Sequence, residues 1–216
     1  MFSREGILSL LISIPGLLLA ITFHEYAHGL AAYLMGDRTA KHDGRLSLNP
    51  MRHLDPIGAL CMLIFRFGWA KPVPINPYNF KNHRLGVVTV SLAGPFANFI
   101  LGLLSCIVFY FLAFFSPADN MFMEFLRNIF LYSTLMNTGL MIFNLIPIPP
   151  LDGSKVLLEF LPGKVKYTMY RYERYFSLIL LLVVYLGTLT PILSTLQGYV
   201  LGFYEFISYK LVLLFA

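Results

Sequence analysis

Charged residues are scarce in this 216-residue sequence: 12% are Asp, Glu, Lys or Arg, 57% are hydrophobic, and the mean hydropathy is +0.70. This balance excludes an ordinary soluble domain, in which about a quarter of the residues are charged. Cysteine is scarcer still, because Cys61 and Cys106 are the only two and both lie among apolar residues, which excludes a disulfide framework. We expect one membrane-embedded domain over residues 1–216 that has the lipid bilayer as a partner.

The net charge of +5 and the isoelectric point near 9.2 would also suit a nucleic-acid-binding protein. The basic residues, however, lie in the polar loops between long apolar runs, where charge is expected to flank a membrane. We therefore predict no nucleic-acid partner.

The apolar runs predict an all-α polytopic membrane protein with about five transmembrane helices. The first run is too long for a signal peptide and has no small-residue cleavage site before its polar residues, so we expect a retained helix. We place a core over residues 6–160 and C-terminal transmembrane helices over 171–216. The predicted spans are residues 6–35, 85–115, 121–146, 175–190 and 192–215, the last two meeting at Pro191.

Residues 37–86 interrupt this helical pattern after the first span. The alternation over 44–50 predicts a short β-strand closed by a turn, and the proline-rich residues 69–77 must be extended. The apolar residues 54–67 are too few to span a bilayer comfortably, and we interpret them as a re-entrant segment. The fold prediction therefore includes a small β-strand and re-entrant insertion after the first helix.

The distribution of Lys and Arg predicts the orientation in a cell membrane. Loops 37–86 and 154–174 are rich in Lys and Arg, whereas the turns at 116–120 and 190–191 contain neither. By the positive-inside rule both basic loops face the cytoplasm, which gives a multi-pass protein with its N-terminus outside and its C-terminus inside.

The first apolar run contains the motif HEYAH at residues 24–28. On a helix, His24 and His28 lie four residues apart on one face and can bind one Zn²⁺, and Glu25 can lie beside the metal as a general base. A chance alignment is the alternative, but charged residues within apolar segments are costly and are usually functional.

Two histidines leave zinc one short of the three protein ligands usual in catalytic sites. Asp152 is the better candidate for the third ligand, because it follows a proline-rich break at a matching depth and precedes Gly153, which allows close backbone approach. Such an Asp-Gly pair is more often a simple turn. His42, His53 and His83 lie in polar loops and are weaker candidates, expected to be solvated.

The HEYAH motif together with NLIPIPPLDG at residues 144–153 resembles the site-2 protease family of intramembrane zinc metalloproteases. The sequences GRLSLNP, WAKPVP and AGPFAN, which begin at residues 44, 69 and 93, are also similar to the compact bacterial or archaeal group without PDZ or CBS domains. The resemblance covers about residues 20–160.

The resemblance implies zinc bound by His24, His28 and Asp152, with Glu25 as the general base and Asn144 as a catalytic residue that positions substrate or stabilises developing charge. It further implies hydrolysis of peptide bonds in transmembrane protein substrates near the cytoplasmic side, that is, regulated intramembrane proteolysis. Asn98 has a polar role near the site or forms a helix–helix hydrogen bond, and both alternatives stay open at this point.

Two rival functions fit part of this pattern. A metal ion transporter also carries intramembrane His, Glu and Asp, but its polar residues should extend through the full bilayer depth. A non-catalytic relative that only binds membrane helices would not need Glu25. Glu205, inside the last apolar run, receives no catalytic role, and the oligomeric state does not follow from the sequence.

Overall fold

The computed structural model describes residues 4–58, 70–117 and 120–215, with side chains from residue 11 onward. These residues are mainly helical, as predicted, and the five long helices coincide closely with the five predicted apolar runs. The α-helices are α1 (Arg4–Met35), α2 (Thr39–His42), α3 (His83–Phe115), α4 (Met121–Asn144), α5 (Asp152–Leu158), α6 (Gly163–Arg171), α7 (Glu173–Tyr185) and α8 (Thr190–Leu213). Two short 3-10 turns cover Pro50–Arg52 and Pro77–Asn79.

The β-strand predicted over residues 44–50 is wrong, because no strand occurs in the described ranges and only a single antiparallel bridge joins Leu54 to Ala70. The polar groups of 44–50 bond locally instead of forming a ladder. The Ser47 amide donates to the Arg45 carbonyl at 3.0 Å, and the Asn49 amide donates to the Ser47 hydroxyl at 3.2 Å. Most of the predicted re-entrant segment, from residue 59 to 67, lies outside the described residues.

The break predicted at Pro191 lies slightly earlier in the chain. Residues 186–189 separate α7 from α8, and Pro191 lies in the first turn of α8. The first turn of a helix tolerates proline because its amide groups have no partner inside the helix.

Helix α3 is the one described helix that is long and apolar enough by itself to cross a membrane. The bent pair α7 and α8 adds a second crossing if the two are counted as one span. The all-α class is therefore confirmed over the described residues, and the number of about five transmembrane helices stays a prediction.

The chain divides into two compact units. The first, here the bundle unit, contains Met1–Ala20, Asn98–Phe143 and Leu181–Ala216, and the second, here the site unit, contains Ile21–Ala97 and Asn144–Leu180. Helices α1 and α3 each contribute residues to both units.

The bundle unit is joined by buried polar contacts between its helices. The fully buried Asn98 side chain donates to the Ala20 carbonyl at 3.0 Å and to Asn137 Oδ1 at 2.9 Å. The Tyr204 hydroxyl donates to the Phe99 carbonyl at 2.8 Å. Interhelical hydrogen bonds of this kind are typical of helices that associate in a membrane.

In the site unit, Asp37 joins the end of α1 to the extended residues that follow Ala70. Its carboxylate is fully buried and accepts hydrogen bonds from the Thr39 amide and hydroxyl, the Asn76 amide and the Asn79 side chain, at 2.6–3.1 Å. Burial alone would raise the pKa of Asp37, but these hydrogen bonds outweigh it and hold the pKa below its ordinary value.

We predict that Asp37→Ala lowers the free energy of unfolding by about 3 kcal/mol, because it leaves several buried donors without an acceptor. Because folding lowers the pKa of Asp37, the ionised carboxylate contributes fully to the free energy of unfolding above the ordinary pKa of 3.8. This contribution is lost as the pH falls through the lower pKa of the folded state. Denaturant unfolding in detergent at pH 7 and at acid pH measures both effects. Asp43→Ala, at an exposed carboxylate of the same loop, is the control. Equal stabilities of the two variants at pH 7 would contradict the role of Asp37.

Candidate metal centre

Helix α1 places the two histidines of the HEYAH motif on one face, four residues apart. Both side chains are buried, at 5% and 7% exposure for His24 and His28, although they belong to a polar residue type. Their Nε2 atoms lie 3.0 Å apart and their rings meet edge to face. The predicted pairing of these two side chains is therefore present in the structure.

Asp152 reaches the two histidines from the first turn of α5. Helix α4 ends at Asn144, and the intervening prolines prevent a continuous helix, so that the chain turns before α5 begins. Asp152 Oδ2 lies 3.2 Å from His24 Nε2 and 3.0 Å from His28 Nε2. Among the described residues, these three side chains form the one group of three or more His, Cys, Asp or Glu that could hold a metal ion.

The two oxygens of Asp152 have different partners. Oδ2 faces the histidines, whereas Oδ1 accepts a hydrogen bond from Lys155 Nζ at 2.9 Å. Burial would raise the pKa of Asp152, but hydrogen bonds to the histidines and the nearby positive charge hold it well below its usual range. The side chain is therefore a carboxylate, which is the form that binds a metal.

The orientation of His28 is set by a backbone carbonyl of α3. Its Nδ1 lies 2.7 Å from the Val90 carbonyl oxygen. A carbonyl only accepts, so a neutral imidazole must carry its proton on Nδ1, and the Nε2 lone pair points to the metal position.

Two glycines allow the backbone to approach this cluster. A Cβ at Gly94 would lie 2.5 Å from His28 Nε2 and 2.6 Å from His24 Cε1. A Cβ at Gly153 would overlap the Leu145 carbonyl, which confirms the close backbone approach expected there. Gly94 therefore forms one wall of the histidine site.

Glu25 lies beside the cluster and has a backbone partner that the sequence did not indicate. Its Oε2 accepts a hydrogen bond from the Val73 amide at 2.9 Å. Both residues line a cavity of about 680 Å³ that also contains the three clustered ligands and Asn144. The other residues that line the cavity belong to residues 72–80, to α3, to the turn before α5, to α5 and the residue after it, and to α6: Pro72, Ile75, Pro77, Tyr78, Phe80, His83, Val87, Val90, Ser91, Pro150, Leu151, Lys155, Glu159, Lys166 and Tyr170.

The other candidates from the sequence lie elsewhere. His53 was expected to be solvated, which is wrong, because it is fully buried with Nε2 2.6 Å from the Ser47 carbonyl oxygen. His42 is exposed, and His83 lines the cavity without joining the ligand group. The contacts of Asn98 within the bundle unit support its helix–helix alternative.

The three ligand atoms suit zinc in type and spacing. Zinc in catalytic sites takes three imidazole nitrogens, or two with a carboxylate oxygen, each about 2.0–2.2 Å from the metal, so that tetrahedral ligand atoms lie about 3.3 Å apart. The separations of 3.0–3.2 Å observed here are close to that spacing. Magnesium or calcium would instead prefer a site made of oxygen atoms.

Comparison with known proteins identifies the family. The model of peptidase family M50 matches residues 12–186, which is most of the chain. The chain belongs to peptidase family M50. This is the site-2 protease family to which the motifs showed a resemblance, and its members are membrane proteins, so this M50 protein is a membrane-associated zinc metalloprotease.

Named relatives agree with this assignment. The M50 protein is 40% identical over 172 residues to "Putative zinc metalloprotease YwhC" of Bacillus subtilis, covering 77% of each chain. It is 30% identical over 149 residues to "Putative zinc metalloprotease Rip2" of Mycolicibacterium smegmatis, covering 67% of this chain and 55% of that one. The Mycobacterium tuberculosis (H37Rv) protein of the same name is 29% identical over 195 residues, covering 88% and 70%. No solved structure matches.

We predict that Gly94→Ala abolishes stoichiometric zinc binding, because the added methyl group would occupy the space of the His24 and His28 rings. Elemental analysis of the purified protein measures the zinc content. Gly198→Ala is the control, since a Cβ at that position of α8 would meet nothing within 4 Å. Full zinc occupancy in both variants would contradict the tight packing of Gly94 on the histidines.

Proposed function

We propose that this M50 protein hydrolyses peptide bonds of transmembrane protein substrates, with zinc held by His24, His28 and Asp152. The observation that carries the proposal is the convergence of three buried ligand atoms, 3.0–3.2 Å apart, in the same cavity as Glu25. A metal site enclosed by the chain but open to a cavity of about 680 Å³ suits catalysis better than a closed structural site.

Zinc bound here would supply a Lewis acid that makes water a nucleophile near neutral pH and polarises the scissile carbonyl. Glu25 Oε2 is held by the Val73 amide, which leaves Oε1 to accept the proton of the attacking water. The same carboxyl group then delivers that proton to the leaving amine. Glu25 thus acts first as a base and then as an acid.

Asn144 is proposed to assist at the substrate carbonyl. It ends α4 and lines the same cavity as Glu25 and Asp152. An amide donor aimed at the developing negative charge on the carbonyl oxygen would stabilise the transition state. Its role is catalytic in this proposal, whereas Asn98, with its partners in the bundle unit, is structural.

The membrane-embedded substrate and the cytoplasmic position of the site are further parts of the proposal. Apolar spans and basic loops support about five transmembrane helices with loops 37–86 and 154–174 in the cytoplasm, as in a multi-pass protein of a bacterial or archaeal cell membrane. A transmembrane substrate helix would have to unwind locally, because its carbonyls are engaged in i→i−4 hydrogen bonds. The metal transporter alternative has no support from the family assignment.

We predict different defects for Glu25→Gln and Asp152→Ala. The first keeps zinc but loses peptide hydrolysis by at least about 100-fold, because an amide cannot accept the proton. The second loses most of the bound zinc, because a ligand is removed. Zinc content and cleavage of a labelled transmembrane peptide in detergent measure both. Normal turnover by Glu25→Gln, or full zinc in Asp152→Ala, would contradict the assigned roles.

We predict the orientation from single cysteines in a Cys61→Ser, Cys106→Ser background. Cysteines replacing Lys41 and Lys164 should react with an impermeant maleimide only in inverted vesicles, whereas one replacing Pro117 should react only in intact cells. The reason is that the loops rich in Lys and Arg, 37–86 and 154–174, are predicted to face the cytoplasm, whereas the turn at 116–120 has neither residue and is predicted to face outside. Labelling of all three positions from the same side of the membrane would contradict the prediction that the basic loops and the turn at 116–120 lie on opposite sides.

A further inference from the structure

The side chain of Arg45 is buried but has no acidic partner in the part of the chain that the structure describes. It is 8% exposed, and the described ion pairs do not include it. Its Nε atom is buried without a hydrogen-bond partner. Burial of a charge without a counter-ion is expensive, so a guanidinium kept in such a place calls for a specific reason.

The contacts of Arg45 are made with the extended stretch that lines the cavity. Its Nη2 donates to the Lys71 carbonyl at 2.6 Å and to the Pro72 carbonyl at 3.3 Å. The next amide along the chain is that of Val73, which donates to Glu25 Oε2 at 2.9 Å. The cation thus binds the peptide unit that contains the Val73 amide and the peptide unit before it, and that amide donates to the Glu25 carboxylate.

Among the hydrogen bonds that hold residues 71–76, those from Arg45 lie nearest along the chain to the Val73 amide. Upstream, the Lys71 amide donates to the His53 carbonyl at 2.8 Å, and downstream the Asn76 amide donates to Asp37 at 2.7 Å. Pro72 and Pro74, on either side of Val73, have no amide hydrogen to donate. Apart from the hydrogen bond from its amide to Glu25, Val73 is held by its buried side chain, which lies beside Gly29 of α1.

We infer that Arg45 is a positioning residue for Glu25, acting through the Lys71 and Pro72 carbonyls and the Val73 amide. The inference rests on the proposed role of Glu25 in peptide hydrolysis. Without the guanidinium, residues 71–73 gain freedom, the Val73 amide leaves the carboxylate, and Glu25 can rotate away from the attacking water. Proton transfer is sensitive to such misplacement, because the base must be within hydrogen-bond reach of the proton.

The central test compares Arg45→Met with Arg52→Met. Arg52 lies on the same loop and also donates to a backbone carbonyl, that of Gly44, but it is exposed, and none of its hydrogen bonds among the described residues reaches residues 71–73. We expect Arg45→Met to lower kcat at least about tenfold, with KM changed less than about twofold and zinc content unchanged, as for other partners that orient catalytic groups. Arg52→Met should keep the wild-type kcat.

A double-mutant cycle with Val73→Pro separates positioning of Glu25 from general support of the loop. Val73→Pro deletes the amide hydrogen that donates to Glu25, so Arg45→Met should cost little further activity in that background. Losses that multiply in the double variant would overturn the inference, because Arg45 would then act by another route. If Arg45→Met does not fold, Arg45→Lys serves instead, since an ammonium reaches one carbonyl and should keep an intermediate kcat.

Hydrogen exchange at the Val73 amide provides a readout that needs no catalysis. In zinc-loaded protein, with the site resolved by electron-transfer fragmentation, exchange should be at least about tenfold faster in Arg45→Met than in wild type or Arg52→Met. Glu25→Ala should show the same acceleration because the acceptor is gone. Unchanged exchange in Arg45→Met would overturn the inference, whereas failure of the native protein to cleave peptides would overturn only the proposed function.

Discussion

Two imidazoles and a carboxylate lie buried within a chain that is otherwise mostly apolar, and this concentration of polar groups constrains the rest of the site unit. Each group would be costly to bury alone, and together they form a ligand set in which each offers one atom to the same point. The backbone must come unusually close for this to happen. Gly94 on α3 and Gly153 on α5 provide the space, because a side chain at either position would collide with the histidines or with the chain before α5.

Hydrogen bonds with neighbouring groups fix the orientation of the ligand side chains and of Glu25. The Val90 carbonyl sets the tautomer of His28, Lys155 occupies the outer oxygen of Asp152, and the Val73 amide holds Glu25. These partners come from three different parts of the chain. Orientation by surrounding hydrogen bonds is a general feature of metal sites, where it matters almost as much as the ligands. In the proposed function, the extended residues after Ala70 therefore orient Glu25 in addition to connecting two helices.

How far the sequence predicted this arrangement depended on whether each signal was local. The helix positions follow from the long apolar runs, and the pairing of His24 with His28 follows from their spacing along one helix; the structure has both. Asp152 was singled out by a proline break and a predicted depth, and it does reach the histidines. The Val73–Glu25 contact joins residues 48 positions apart through a backbone amide, which no residue type marks. The polarity of its loop predicted a solvated His53, and alternation predicted a strand over 44–50, and both predictions were wrong for the same reason. Local hydrogen bonds within this loop bury His53 and bend residues 44–50 instead.

The measurement that tests the metal centre most directly is X-ray absorption at the zinc edge of the purified, zinc-loaded protein. The arrangement of His24, His28 and Asp152 predicts a shell of nitrogen and oxygen atoms at about 2.0–2.1 Å, with the outer-shell signal of two imidazole rings and no sulfur. In Asp152→Ala the two-imidazole signal should persist in whatever zinc remains bound. A third imidazole, or a sulfur at about 2.3 Å, would contradict the account.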